Sequence, residues 1–172
     1  YIGIFSEYST YMTERQEALI LQFLYELLSS KEGDIRRSAA ALMGRIVANF
    51  DDKYTKELPD GVVLPRKHVN SLSVFAQYMD MIMYPNRHYT EQHKLWIGYC
   101  LSDFISAVLK GCNKTKLVQY LEVMDKYYAR NEYSSEQYII LSTALIDMGS
   151  IYQKDEKFLQ TARKFITVGR DA

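Results

Sequence analysis

Apolar residues recur at helical spacing through most of the chain. Between Thr13 and Ser30, Ile20, Phe23, Leu24, Leu27 and Leu28 fall at i, i+3, i+4, i+7 and i+8, the pattern of one helix face turned to a core. Gly33-Asp34 interrupts this pattern and restarts it, with Asp34 placed to cap the next helix. The stripe then continues through Ile35, Ala39, Leu42, Met43, Ile46, Val47 and Phe50. So short a turn makes the two helices antiparallel neighbours.

Residues Asp51–Lys67 break the periodicity. Pro59-Asp60-Gly61 is a turn sequence, and Pro65 bars a regular helix through the middle of the segment. A third helix is predicted over His68–Tyr84, ended by Pro85-Asn86, and a fourth over Thr90–Lys110, stopped by Gly111. The fourth is apolar almost all round, through Leu95, Trp96, Ile97, Leu101, Phe104, Ile105, Val108 and Leu109. Its narrow polar strip is Tyr99, Ser102, Asp103, Ser106 and Lys110, a pattern that places it in the middle of the protein. A fifth helix runs from Lys114 to Arg130, with Leu117, Leu121, Met124 and Tyr128 on one face. Ser134 to Gln137 reads as a capping box opening a sixth helix that extends to Tyr152. A seventh segment, Asp155–Val168, carries Phe158, Leu159, Ala162, Phe165 and Ile166. Only Gly61–Leu64 is β-prone. With 3 prolines and 8 scattered glycines, few breakers interrupt these runs. The expectation is an all-α single domain over residues 1–172, with hairpins at 13–50, 68–110 and 114–152 and a final helix at 155–168.

Successive helical hairpins make either a bundle or a solenoid, and internal repetition separates the two. A shift of 105 residues along the sequence places Ile35, Ala39, Met43, Gly44 and Ile46 on Ile140, Ala144, Met148, Gly149 and Ile151. The segment from Ile35 to Ile46 has an apolar residue, the pair Arg36-Arg37, small residues, and then Met43-Gly44-Arg45-Ile46. It resembles the second helix of a HEAT-type repeat. The later copy departs from that pattern, with Leu141 and Ser142 in place of the arginines and Asp147 where Leu42 stands. The resemblance implies a short right-handed α-solenoid of antiparallel hairpins, the alternative being an irregular helical bundle. It also implies that second helices line a concave face that binds partners. Arg37, Arg45, Ser102, Asp103 and Ser106 would then face the partner, joined by Thr143, Asp147 and Ser150 if the sixth helix keeps register. The competing reading is that these residues form ordinary solvated faces. Arg36 takes a structural role on this resemblance, bonding between adjacent repeats.

Composition narrows the function classes. The 172 residues suit one domain of ordinary size, with 48% hydrophobic and 24% charged residues. Lys+Arg and Asp+Glu both number 21, so the formal net charge is zero and the electrostatic footprint of a dedicated nucleic-acid binder is absent. Residues 1–86 hold 9 basic and 11 acidic residues, and 87–172 hold 12 and 10. A modest basic excess gathers at Lys154, Lys157, Arg163, Lys164 and Arg170. Cys100 and Cys112 make no disulfide framework and match no metal-ligand spacing, which points to a reducing, cytoplasmic setting. No apolar run reaches the ~18 residues that span a bilayer, and no signal-peptide pattern opens the chain. The chain begins at Tyr1, and the crowding of Ile2, Ile4, Phe5, Tyr8, Tyr11 and Met12 leads us to expect a piece of a longer protein.

No catalytic motif emerges. His88 and His93 stand five apart, with Glu91 two before His93, and neither spacing puts two metal ligands on one helix face. There is no GxSxG elbow, P-loop or dinucleotide glycine fingerprint, and no cofactor is implied. Asp103 is the carboxylate of greatest interest, because burial within a nearly apolar helix would raise its pKa. Fifteen tyrosines, among them Tyr78, Tyr84, Tyr89, Tyr120, Tyr127, Tyr128, Tyr133 and Tyr138, suit either a binding surface or the margin of a helical core. The expected function is a non-catalytic scaffold that binds a protein partner or a neighbouring domain of the same chain. The alternatives are the helical regulatory part of an enzyme, with Asp103 and His93 in a scattered site, or a HEAT-like nucleic-acid-binding domain.

Overall fold

The computed structural model describes residues 14–50, 71–130 and 135–171, and every regular element among them is helical. In chain order these are α1 (Glu14–Leu27), α2 (Gly33–Ala48), α3 (Ser71–Met83), α4 (Glu91–Tyr99), α5 (Leu101–Gly111), α6 (Lys114–Arg130), α7 (Ser135–Met148) and α8 (Glu156–Asp171). None of these helices is long and apolar enough to cross a membrane. The segment Asp51–Lys67, the β-prone Gly61–Leu64 and Ser134, expected as a cap, lie outside the described residues.

The packing has a clear order. α2, α5 and α7 lie side by side, with α5 between the other two, and α8 lies against α7. α1 packs on α2, α3 on α6, and α6 on α8. One continuous core joins them. At its centre the Phe75 ring of α3 stacks on Phe104 of α5 at 5.9 Å and meets Tyr120 of α6 edge-on at 5.0 Å.

α2 and α5 approach each other closely where they cross. A Cβ added to Gly44 would lie 2.5 Å from Ala107 Cβ and 2.6 Å from the backbone oxygen of Phe104. At Gly111 an added Cβ would stand 3.1 Å from Ala48 Cβ. Small residues on both helices, Gly44 and Ala48 on α2 and Ala107 and Gly111 on α5, therefore set the interaxial distance.

Several helix details differ from the sequence reading. On α1 the buried set is Leu21, Leu24 and Tyr25, with Glu17, and Leu28 is buried just past its end. Phe23 is 46% exposed, because one residue of offset turns a side chain by about 100° around a helix. Asp34 does not cap α2. The helix begins at Gly33 with Glu32 at the cap, and Asp34 lies in the first turn, where its carboxylate faces the positive end of the helix dipole. Thr90 does cap α4, its Oγ1 accepting from the His93 amide. The expected single helix from Thr90 to Lys110 is divided at Cys100, whose amide donates to the Ile97 carbonyl three residues back. The two halves serve different neighbours: α4 packs on α3, while α5 fills the space between α2 and α7. Leu95 and Tyr99 consequently stand exposed on α4. α7 ends at Met148, short of the expected Tyr152, so Gly149 and Ile151 fall in the following turn. The echo between α2 and α7 is thus broken after Met148. Gly44 sits within a helix crossing, whereas Gly149 lies beyond a helix end.

Two polar links fasten the last helix. Asp125 of α6 accepts from Lys157, Thr161 and Lys164 of α8, and Ser142 of α7 donates to the Phe165 carbonyl at 2.6 Å. Asp155 caps α8, its Oδ1 accepting from the Phe158 amide.

Candidate functional site

The row α2–α5–α7 brings the predicted surface residues onto neighbouring helices. On α2, Arg37 and Arg45 are both exposed and stand eight positions apart, a little over two helical turns. On α5, Asp103, Ser106 and Lys110 follow i, i+3, i+7. Between the two helices runs a groove of about 390 Å³, walled by Arg45, Asp103, Ser106 and Lys110 and floored by Ala41, Ala107 and Gly111. The floor residues have little or no side chain, which leaves the space between the polar walls open. The crossing at Gly44 and the groove therefore have one cause.

Asp103 is half-buried. Burial pushes its carboxyl above the ordinary range, Arg37 of α2 pulls it down, and Asp147 of α7 pushes it up. Two of the predicted residues, one from each flanking helix of the row, thus act electrostatically on Asp103. Ser102 is half-buried on α5 and is not among the groove residues. Thr143 turns its hydroxyl to the Ile139 carbonyl of its own helix, at 2.9 Å. Ser150 is exposed just past the end of α7.

Arg36 takes a different part from its neighbour Arg37. Its Nη1 donates to the carbonyls of Ser30 at 2.6 Å and Lys31 at 3.2 Å, closing the α1–α2 turn. Its guanidinium also lies 5.0 Å from the Trp96 ring centroid on α4. A planar cation with several donors can do both at once. Arg36 therefore ties the α1–α2 turn to α4.

The groove can bind and orient polar groups through two cations, a carboxylate and a hydroxyl. It holds Asp103 without His93, whose ring rests on Trp96 at 5.4 Å. Among the described residues no group of three or more His, Cys, Asp or Glu could hold a metal ion. Both cysteines are free. Burial and the nearby Asp103 push the Cys100 thiol up to about 12, against the pull of Arg36 and Arg37. Burial likewise pushes Cys112 up to about 11. Neither thiol has the depressed pKa of a nucleophile.

Two features escaped the sequence reading. The basic excess near the C-terminus is partly internal, because Lys157 and Lys164 are both paired with Asp125. The second is a cavity of about 660 Å³ where α1, the end of α3 and the turn 84–90 meet. Tyr84 and Tyr89 carried a signal as members of the tyrosine cluster, but their meeting with Phe23 and Tyr25 depends on tertiary packing. Comparison with protein-family models, curated proteins and solved structures returns no match to this chain.

Proposed function

We propose that this chain is a non-catalytic, HEAT-like α-solenoid module that binds a segment of a protein partner, or of a neighbouring domain of its own chain. What supports this reading is the side-by-side order of α2, α5 and α7, which the sequence reading assigns as the second helices of its hairpins, with the groove of Arg45, Asp103, Ser106 and Lys110 between the first two. A stack of this kind buries one face of each helix against its neighbours and leaves a continuous surface along the row. Two cations flank one carboxylate in the groove, so the segment that fits carries acidic side chains for Arg45 and Lys110 and a donor for Asp103. Free, high-pKa thiols suit a reducing, cytoplasmic setting.

A photo-crosslinking amino acid at Ser106, with an equal probe at exposed Gln160 on α8, tests the assignment. A discrete crosslinked protein or domain is expected at position 106 and not at 160, and Arg45→Glu with Lys110→Glu should abolish it. Equal crosslinking at both positions, or crosslinking that survives the double charge reversal, would overturn the reading.

A further inference from the structure

The cavity at the α1–α3 end is separate from the groove and has a different chemistry. Its volume of about 660 Å³ lies within the ~300–1,000 Å³ typical of small-molecule sites. Four aromatic rings line it: Phe23 and Tyr25 from α1, Tyr84 and Tyr89 from the turn after α3. Glu26 supplies a carboxylate, and no Lys or Arg is among the described lining residues.

The aromatic wall is held in place by the fold. Tyr25 donates its hydroxyl to the Met81 carbonyl at 2.7 Å, tying α1 to α3. The Tyr89 ring meets Tyr25 edge-on at 6.3 Å and 72°. Tyr89 also donates to Glu26 Oε2 at 3.1 Å, which fixes the carboxylate beside the rings. His88 lies against Tyr89 at 4.3 Å. Phe23 and Tyr84 are each 46% exposed and form the rim. Little ordering of these groups is left for a ligand to impose, which favours affinity.

Aromatic faces carry the negative part of a quadrupole and attract cations. A carboxylate adds a full negative charge, and no Lys or Arg in the described wall competes for it. A primary ammonium is strongly hydrated, whereas a quaternary ammonium has no N–H groups to desolvate and presents methyl groups to the rings. We infer that the Phe23–Tyr25–Tyr84–Tyr89 cavity, with Glu26 in its wall, binds a small organic cation of the quaternary ammonium class. The site does not depend on the α2–α5 groove, so either assignment can fail without the other.

The test uses the full chain and choline as the probe, followed by amide NMR shifts. Its neutral tert-butyl isostere, in which carbon replaces the ammonium nitrogen, is the control. Choline should shift amides in 19–26 and 84–89 saturably, and the isostere should bind about tenfold more weakly, a difference near 1.4 kcal/mol. Glu26→Gln, which can still accept from Tyr89, should weaken choline about fivefold or more and leave the isostere unchanged. Phe23→Leu, a change at a half-exposed position, should weaken choline severalfold with the helices intact by circular dichroism. Equal affinity for choline and the isostere would overturn the proposal, as would choline binding indifferent to both substitutions. A peptide-borne trimethyllysine binding more than tenfold tighter than choline would overturn the assignment to a free small molecule.

Discussion

Substituting Gly44 by alanine tests the close crossing of α2 and α5. The new methyl would lie 2.5 Å from Ala107 Cβ, 2.6 Å from the Phe104 carbonyl oxygen and 3.0 Å from the Val108 amide nitrogen. Carbon atoms pack best at about 3.5–4.0 Å, so the helices must separate by roughly 1 Å at this point. A gap of that size forfeits about a quarter to a half of the dispersion attraction between the atoms it parts. No flexible side-chain tip is present to absorb the clash, so the overpacking cost falls near or above the upper end of the usual ~1–3 kcal/mol. Alanine regains about 1 kcal/mol over glycine in a helix interior. The net expectation is a loss of about 2 kcal/mol, equivalent to a fall of roughly 4–8 °C in Tm for a chain of this size. Urea unfolding at equilibrium measures it. Gly98→Ala on α4 is the control, because nothing lies within 4 Å of its added Cβ and only the propensity gain of about 0.5–1 kcal/mol remains. Adding Ala107→Gly to Gly44→Ala should recover part of the loss, since it removes the methyl clash and leaves the carbonyl clash in place. Gly44→Ala as stable as the parent would show that helix contact does not set the spacing here.

Three further outcomes follow from the polar contacts. The carboxyl of Asp103 is raised in the fold, first by burial, so its protonated form is favoured there and the stability it contributes is lost as pH rises from the ordinary 3.8 through the folded value. Asp103→Asn should therefore be more stable than the parent at pH 7, with the advantage disappearing at low pH in urea titrations. Asp125 behaves oppositely: burial pushes it up, but hydrogen bonds from Lys157, Lys164 and Thr161 outweigh that and hold it below 3.8. Its contribution is present above the ordinary value and lost as pH falls through the folded one, so Asp125→Asn should cost about 1–2 kcal/mol at neutral pH after allowance for solvent screening, and nearly nothing in strong acid. Arg36→Lys keeps the charge but loses the fork and the stacking plane; unfolding should report a loss of about 1–2 kcal/mol, and emission from the single tryptophan, Trp96, should change.

The helices were legible where one stripe meets one core. Leu117, Leu121 and Met124 on α6 and Phe158, Ala162 and Phe165 on α8 are buried as their spacing predicts. Reading failed where a helix has more than one neighbour. The run from Thr90 to Lys110 is apolar on many sides because α4 and α5 pack on different partners, and periodicity alone carries no mark of the division at Cys100. The surface pattern of Asp103, Ser106 and Lys110 was visible from spacing. The cavity beside Glu26 was hidden, because its rings come from α1 and from a turn about 60 positions later in the chain. Lys157 and Lys164 looked like free charge because their counter-ion, Asp125, lies in another helix.

The fastening of α8 bears on how the molecule opens. Helix ends ordinarily fray one residue at a time, since each terminal turn is held by little beyond its own backbone bonds. Here Lys157, Thr161 and Lys164 share a single acceptor on one flank, and a serine hydroxyl grips the Phe165 carbonyl on the other. Detachment of α8 breaks the shared Asp125 contacts and the Ser142 bond together, so partial release is penalised more than its length would suggest. The amide protons of residues 158–165 should consequently exchange with solvent together, in one cooperative event, so that α8 acts as a latch.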